Sequence, residues 1–197
     1  MKLFTSLTDP ELVALLKGGS VGVLLTDTVY GLVCSAKDQA ACERLYKLKS
    51  REHKPGTVIA ARLQQLIDLG IRARYLKAVE QYWPNPLSVV IPCGEELAYL
   101  HQGQRSLAVR VTAVPEVQDL LTKTGALLTT SANLPGEPVA TTIAEAQAYF
   151  GDKVDFYVDS GMAADPVPST VIRIVDDAVE VLRPGAVAID ENGRIAA

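Results

Sequence analysis

The chain has 197 residues, 48% of them hydrophobic and 21% charged, with a formal net charge of −4. That length accommodates one α/β domain with a sizeable core, and the composition excludes a disordered chain. The acidic balance argues against a protein that coats nucleic acid, which needs a net-basic footprint, but leaves room for a local basic cavity.

Thr8-Asp9-Pro10-Glu11 reads as a helix start, with a capping side chain and proline at the first helical position. Leu12, Val13, Leu15 and Leu16 follow, and Gly18-Gly19 ends the helix. Val21 to Leu25 is a short apolar run, the pattern of a strand buried on both faces. Asp38 caps a second helix, with Ala41, Leu45 and Leu48 on one face. Thr57 to Ala60, Leu87 to Ile91, Leu107 to Val111, Ala126 to Thr130 and Val171 to Val175 read as further strands. Helical segments lie between them, near 63–69, 73–82, 115–123 and 142–150. Strands alternating with helices predict a single α/β domain with a twisted mixed sheet and flanking helices. The domain is expected over 1–190, and the small, polar tail over 191–197 is expected to fray.

Several familiar signatures are missing. Neither a Gly-x-Gly-x-x-Gly nor a Gly-x-x-x-x-Gly-Lys-Ser/Thr run is present. His53 and His101 are the only histidines, and neither pairs with cysteine at zinc-ligand spacing. No Gly-x-Ser-x-Gly elbow supports a serine nucleophile. Cys34, Cys42 and Cys93 are an odd, scattered set, which points to a reducing cytosol. The N-terminus lacks a signal core and no apolar stretch is long enough to span a bilayer. The expectation is a soluble, cytoplasmic protein without a membrane partner.

Five segments look chemical. Thr26-Asp27-Thr28-Val29-Tyr30-Gly31-Leu32 follows a buried strand, where open α/β folds place ligands. It reads equally as a polar turn with Gly31 as its tight point. Lys47 to Pro55 clusters cations where a helix enters a loop, which suits a polyphosphate or simply a solvated helix end. Arg110, inside the apolar run 107–111, needs either an anionic ligand or an internal Asp or Glu. Thr129-Thr130-Ser131-Ala132-Asn133 ends a strand in hydroxyls and an amide, which can bind phosphate without a Walker loop. Arg183 stands at a strand end near Pro168-Ser169-Thr170 in the fifth. Together these segments suggest a polar, cationic pocket for an anion such as a nucleotide.

Seven motifs in order carry a resemblance: TDTVYGL at 26–32, KSR at 49–51, WPNPLSVVIP at 83–92, LAVRV at 107–111, TSANLPGEP at 130–138, PSTVI at 168–172 and LRPGAV at 182–187. In these the chain resembles the YrdC/Sua5 family, the threonylcarbamoyl-AMP synthases, in its short bacterial form. The resemblance implies an α/β domain whose sheet lines a concave basic cavity. It also implies ATP, L-threonine and bicarbonate as substrates, with Mg²⁺ accompanying the ATP. The product would be threonylcarbamoyl-adenylate, passed to a transferase complex that modifies adenosine 37 of tRNA, with at most weak contact to tRNA or double-stranded RNA here.

By position, Thr28, Arg110, Thr129 and Ser169 resemble threonine contacts. Lys49, Arg51, Ser106, Ser131, Asn133, Val139 and Arg183 resemble nucleotide contacts, Val139 through its backbone. No residue is singled out as a catalytic base. The sequence departs from the family pattern at Leu25, Glu52, Pro55-Gly56, Ala60, Asn85 and Pro135. Two other readings stay open: a paralogue acting on another substrate, and a double-stranded-RNA-binding module.

Overall fold

A computed structural model describes residues 1–50, 54–163, 166–176 and 178–196. Its strands are β1 (Lys2–Phe4), β2 (Gly22–Leu25), β3 (Tyr30–Ser35), β4 (Thr57–Ala60), β5 (Leu87–Pro92), β6 (Ser106–Val111), β7 (Leu127–Ser131), β8 (Phe156–Val158), β9 (Thr170–Val175) and β10 (Ala178–Arg183). The helices are α1 (Pro10–Lys17), α2 (Gln39–Leu48), α3 (Leu63–Ile67), α4 (Ala73–Lys77), α5 (Ala98–His101), α6 (Pro115–Thr124) and α7 (Ile143–Phe150). The strands form one mixed sheet in the order β1-β8-β2-β3-β7-β4-β6-β5-β9-β10. The expected α/β class and mixed sheet are both present.

Local chemistry sets the helix starts. Asp9 accepts the Glu11 amide at 2.8 Å and Pro10 occupies the first turn of α1. Asp38 does the same for the Ala41 amide at the start of α2, at 2.9 Å. From α2, Ala41, Cys42, Leu45 and Tyr46 turn inward.

Strand alternation then sorts the sheet into two faces. On one face Leu107, Val109 and Val111 of β6 join Leu87, Val89 and Ile91 of β5 and Val58 and Ala60 of β4. Leu45, Leu66, Leu76 and Leu100 close over them from the helices. On the opposite face α1 and α6 cover only one end, where Leu12, Leu16, Val117 and Leu120 meet Leu24, Val33, Ile59 and Leu127. The rest of that face carries Ser88, Val90, Ser106, Ala108, Arg110, Thr57 and Thr129. Register aligns them: Thr57 lies beside both Ala108 and Thr129, and Ala108 lies opposite Val90.

Three local expectations are corrected. The turn after β2 spans residues 26–29, and Gly31 lies within β3, paired with Ser131 of β7. A Cβ at Gly31 would stand 2.5 Å from Thr129 Oγ1, so the glycine serves close strand packing rather than a bend. The helix expected over 73–82 stops at Lys77, and a single 3₁₀ turn follows at Glu80–Tyr82. Val79 leaves helical geometry between them and is buried. The tail is tied down further along than expected. Ile189 and Ile195 form an antiparallel bridge, and both pack on the core. The turn between them is closed by Asp190, which accepts the amides of Asn192 and Arg194.

Candidate active site

The turn between β2 and β3 is held by Thr26, whose hydroxyl donates to the Val29 carbonyl at 2.8 Å. This places Thr28 at a cleft of about 90 Å³ on the open face of the sheet. Arg110, Thr129, Ser131, Ser169 and Arg183 line the same cleft. The threonine contacts expected from the family resemblance, which lie far apart in sequence, thus meet at one place. Thr129 reaches it because Gly31 and Gly56 let neighbouring backbone close in; a Cβ on Gly56 would lie 2.7 Å from the Thr129 carbonyl oxygen.

Of the alternatives posed by its sequence, Arg110 takes the internal partner while standing at the cleft. It lines the cleft, and it is also paired internally: Nη2 donates to Asp27 Oδ1 at 2.6 Å, with both side chains 3% exposed. Nη1 donates to Ser88 Oγ at 3.0 Å. Ser88 Oγ lies 3.1 Å from Ser169 Oγ, and Arg183 Nη2 donates to Ser169 Oγ at 3.0 Å. Arg183 also donates through Nε and Nη2 to the Ser169 carbonyl. Among the described residues, the buried side-chain polar atoms without a hydrogen-bond partner are Asp27 Oδ2, Arg110 Nε and Thr130 Oγ1. Two of them, Asp27 Oδ2 and Arg110 Nε, belong to the ion pair beside the cleft, where a polar ligand could complete the set.

Two larger cavities adjoin. One, of about 880 Å³, is lined by Tyr46, Lys47, Lys49, Lys54, Asn133 and Ser131, the last shared with the cleft. Lys49 is only 5% exposed, and its Nζ donates to the carbonyls of Ser131 at 2.8 Å and Asn133 at 2.5 Å, and to Asn133 Oδ1. Ser131 Oγ donates to the same Oδ1 at 2.7 Å. The cation is therefore fixed beneath the strand-end loop. The other cavity, about 420 Å³, runs over Val90, Ala108 and Val171 and is rimmed by Lys54, Ser106, Arg173 and Arg183. The described side chains lining all three spaces include six cations and no Asp or Glu.

Of the expected nucleotide contacts, Lys49, Ser131 and Asn133 share one cavity, while Ser106 and Arg183 share the other. Val139 is half-buried in the loop after Asn133 and lines none of the three spaces. Arg51 falls outside the described residues.

A family model for Sua5, YciO and YrdC, described as "Telomere recombination", matches residues 14–185. The chain belongs to the Sua5/YciO/YrdC family. It is 34% identical over 161 residues to the threonylcarbamoyl-AMP synthase of Idiomarina loihiensis, covering 78% of this chain and 87% of that one. To the enzyme of the same name from Pseudomonas aeruginosa it is 35% identical over 170 residues, covering 84% and 91%. The crystal structure of P. abyssi Sua5 complexed with L-threonine superposes with a TM-score of 0.83 at 25% identity. That match covers 95% of this chain and 58% of the longer P. abyssi chain.

For this family member the sequence reading missed Asp27 and Ser88 as site residues. Asp27 sat inside a quoted motif, but nothing in the sequence names its partner. Ser88 did leave a signal, a hydroxyl at an open-face position of an otherwise apolar strand. The cysteines stay outside the site: none of the three lines these cavities. A hydrogen bond with Cys42 and burial hold the Cys34 thiol far above the usual thiol range. Burial pushes Cys93 up to about 11. Neither is poised as a nucleophile.

Proposed function

We propose that this chain is a nucleotidyltransferase that joins L-threonine, bicarbonate and ATP into L-threonylcarbamoyl-adenylate, releasing pyrophosphate. The observation that carries this reading is the convergence of Thr28, Arg110, Thr129 and Ser169 in one cleft that shares Ser131 and Arg183 with two adjoining polar cavities. The named relatives and the threonine complex of P. abyssi Sua5 supply the substrate class.

In this reading the threonine amine combines with bicarbonate to give a carbamate and water. A carbamate oxygen then forms a bond to the α-phosphorus of ATP, and the bond from that phosphorus to the bridging oxygen breaks as pyrophosphate leaves. Such transfer depends on alignment and charge neutralisation more than on a protein nucleophile. Arg110 takes the threonine carboxylate, with Thr28, Thr129 and Ser169 fixing the rest of the amino acid. Lys49, Ser131 and Asn133 hold the phosphates on one side, and Ser106 and Arg183 hold the nucleotide on the other.

Mg²⁺ is the accompanying ion. Among the described residues no cluster of three or more His, Cys, Asp or Glu could cage a metal, which fits an ion that arrives on the triphosphate oxygens. When bound, it neutralises charge on the phosphates.

The product passes to a transferase complex that modifies adenosine 37 of tRNA, so direct RNA contact here is weak and transient. The reading places the protein in the cytoplasm; among the described residues no helix is long and apolar enough to cross a membrane. A second reading, a paralogue activating another amino acid, draws on Gly56, which lines the cleft where the family more often carries proline. Mass spectrometry of the product made from ¹³C-bicarbonate tests both. Labelled threonylcarbamoyl-adenylate supports the first reading; label appearing only with serine or another amino acid selects the second.

A further inference from the structure

The hydroxyls around Arg110 can satisfy their hydrogen bonds in only one direction. Ser88 is fully buried on β5, and its Oγ has two polar neighbours: it accepts from Arg110 Nη1 and lies 3.1 Å from Ser169 Oγ. A serine hydroxyl offers one proton and two lone pairs. If Ser169 donated to Ser88, the Ser88 proton would be left without an acceptor and away from solvent, the full desolvation penalty of a buried donor. If Ser88 donates instead, the spare proton is that of Ser169, which lines the cleft and can meet solvent or a ligand there. Both lone pairs of Ser169 are then occupied, by the Ser88 proton and by Arg183 Nη2. The one remaining capacity of Ser169 is its own proton. Ser169 is 3% exposed and lines the cleft that holds Arg110 and Thr28.

We propose that Ser88 is a positioning residue for the amino-acid site: it anchors Arg110 and, by donating to Ser169, makes Ser169 Oγ–H a hydrogen-bond donor to a carboxylate in the cleft. The inference rests on the amino-acid-activating reading above. It assigns the ligand group at Ser169 as an acceptor, because an ammonium there would meet a hydroxyl with no lone pair left. It also makes Asp27, Arg110, Ser88, Ser169 and Arg183 one unbroken line of contacts from the amino-acid cleft to the cavity beside it. Arg183 lies on both spaces, so the line ties the carboxylate position to the rim of the nucleotide cavity.

The test is calorimetric titration of the full chain with L-threonine in a double-mutant cycle of Ser88→Ala and Ser169→Ala. Each single variant is expected to weaken binding about tenfold, the size of one hydrogen bond to a charged group. The double variant is expected to lose about tenfold as well, because Ser169 without Ser88 is no longer directed. Ser88→Thr, which keeps the hydroxyl, should recover most of the loss, a rescue that general loosening of the strand does not produce. Should Ser88→Ala fail to fold, Ser88→Cys, a weaker donor of similar size, enters the same cycle. Wild-type binding with losses that multiply to about a hundredfold would overturn the role of Ser88 alone. Failure of the wild-type chain to bind threonine would overturn the amino-acid reading and this inference with it.

Discussion

The two faces of the central sheet are made by the same strands and could hardly differ more. Along β6, Leu107, Val109 and Val111 disappear beneath helices, while Ser106, Ala108 and Arg110 between them face the open side. Helices pack where alternate residues are apolar, because burial of each large side chain contributes about 1.5–3 kcal/mol. Where hydroxyls and cations alternate instead, no helix can cover the strand without stranding polar groups, and the sheet stays uncovered. The same contrast separates two arginines. Arg110 is buried and neutralised by Asp27, whereas Arg183 is exposed and held by Ser169. In the proposed reading the first receives the threonine carboxylate and the second the nucleotide.

The largest effect expected from breaking this contrast is at Arg110. Arg110→Ala strands the Asp27 carboxylate and should cost about 3–5 kcal/mol in urea unfolding. It should also raise the threonine requirement far more than the ATP requirement in steady-state kinetics. Equal loss of both would show that Arg110 does not belong to the amino-acid cleft. Next, Leu107→Ala on the covered face should cost about 2–5 kcal/mol in the same unfolding experiment. Its open-face neighbour Val90→Ala should cost below about 1 kcal/mol while altering nucleotide affinity. Lys49→Ala, which removes the cation fixed beneath the strand-end loop and the hydrogen bonds that hold that loop, should then weaken ATP binding about tenfold to a hundredfold and leave threonine binding nearly intact.

The smallest effect lies away from the site. Burial tends to raise the Asp155 carboxyl, but hydrogen bonds from Arg44 and the Val21 amide outweigh it and hold the carboxyl below its usual range. A depressed pKa stabilises the fold above the unfolded-state value of about 4 and loses that stabilisation as pH falls through the folded value. Arg44→Ala should cost about 0.5–1 kcal/mol at pH 7, as this pair is partly solvated. The difference from wild type should begin to shrink in unfolding experiments as pH falls below about 4, and vanish only once pH is below the depressed folded value, where the carboxyl is protonated in the folded and unfolded states alike. A constant difference across that range would mean that Arg44 acts through packing alone.

Most covered-face structure was legible in sequence because it follows from periodicity. Thr57–Ala60 was located as a strand, and Asp9 and Asp38 announced their helices. Short parallel strands such as β1 and β8 carry three residues each, too few to show a period. In β10 the register shifts between Val181 and Arg183, which blurs the alternation. At the site, Thr28, Thr129 and Arg110 were legible as residue types at strand ends or inside apolar runs. Partnership was not: Asp27 and Arg110 are 83 positions apart, and Ser88 and Ser169 are 81 apart. Only the tertiary fold joins them: the order β6-β5-β9 sets Ser88 beside Ser169, and the β2–β3 turn reaches across β7 and β4 to Arg110 on β6.

Pyrophosphate release from ATP in the presence of Mg²⁺, with threonine and bicarbonate omitted in turn, tests the central claim most directly. Release that requires both co-substrates is the predicted result, since the cleft and its neighbouring cavities must be filled together for transfer to proceed. Release that persists without threonine, or its absence when every component is present, would contradict the assignment of the open face as an amino-acid-activating site.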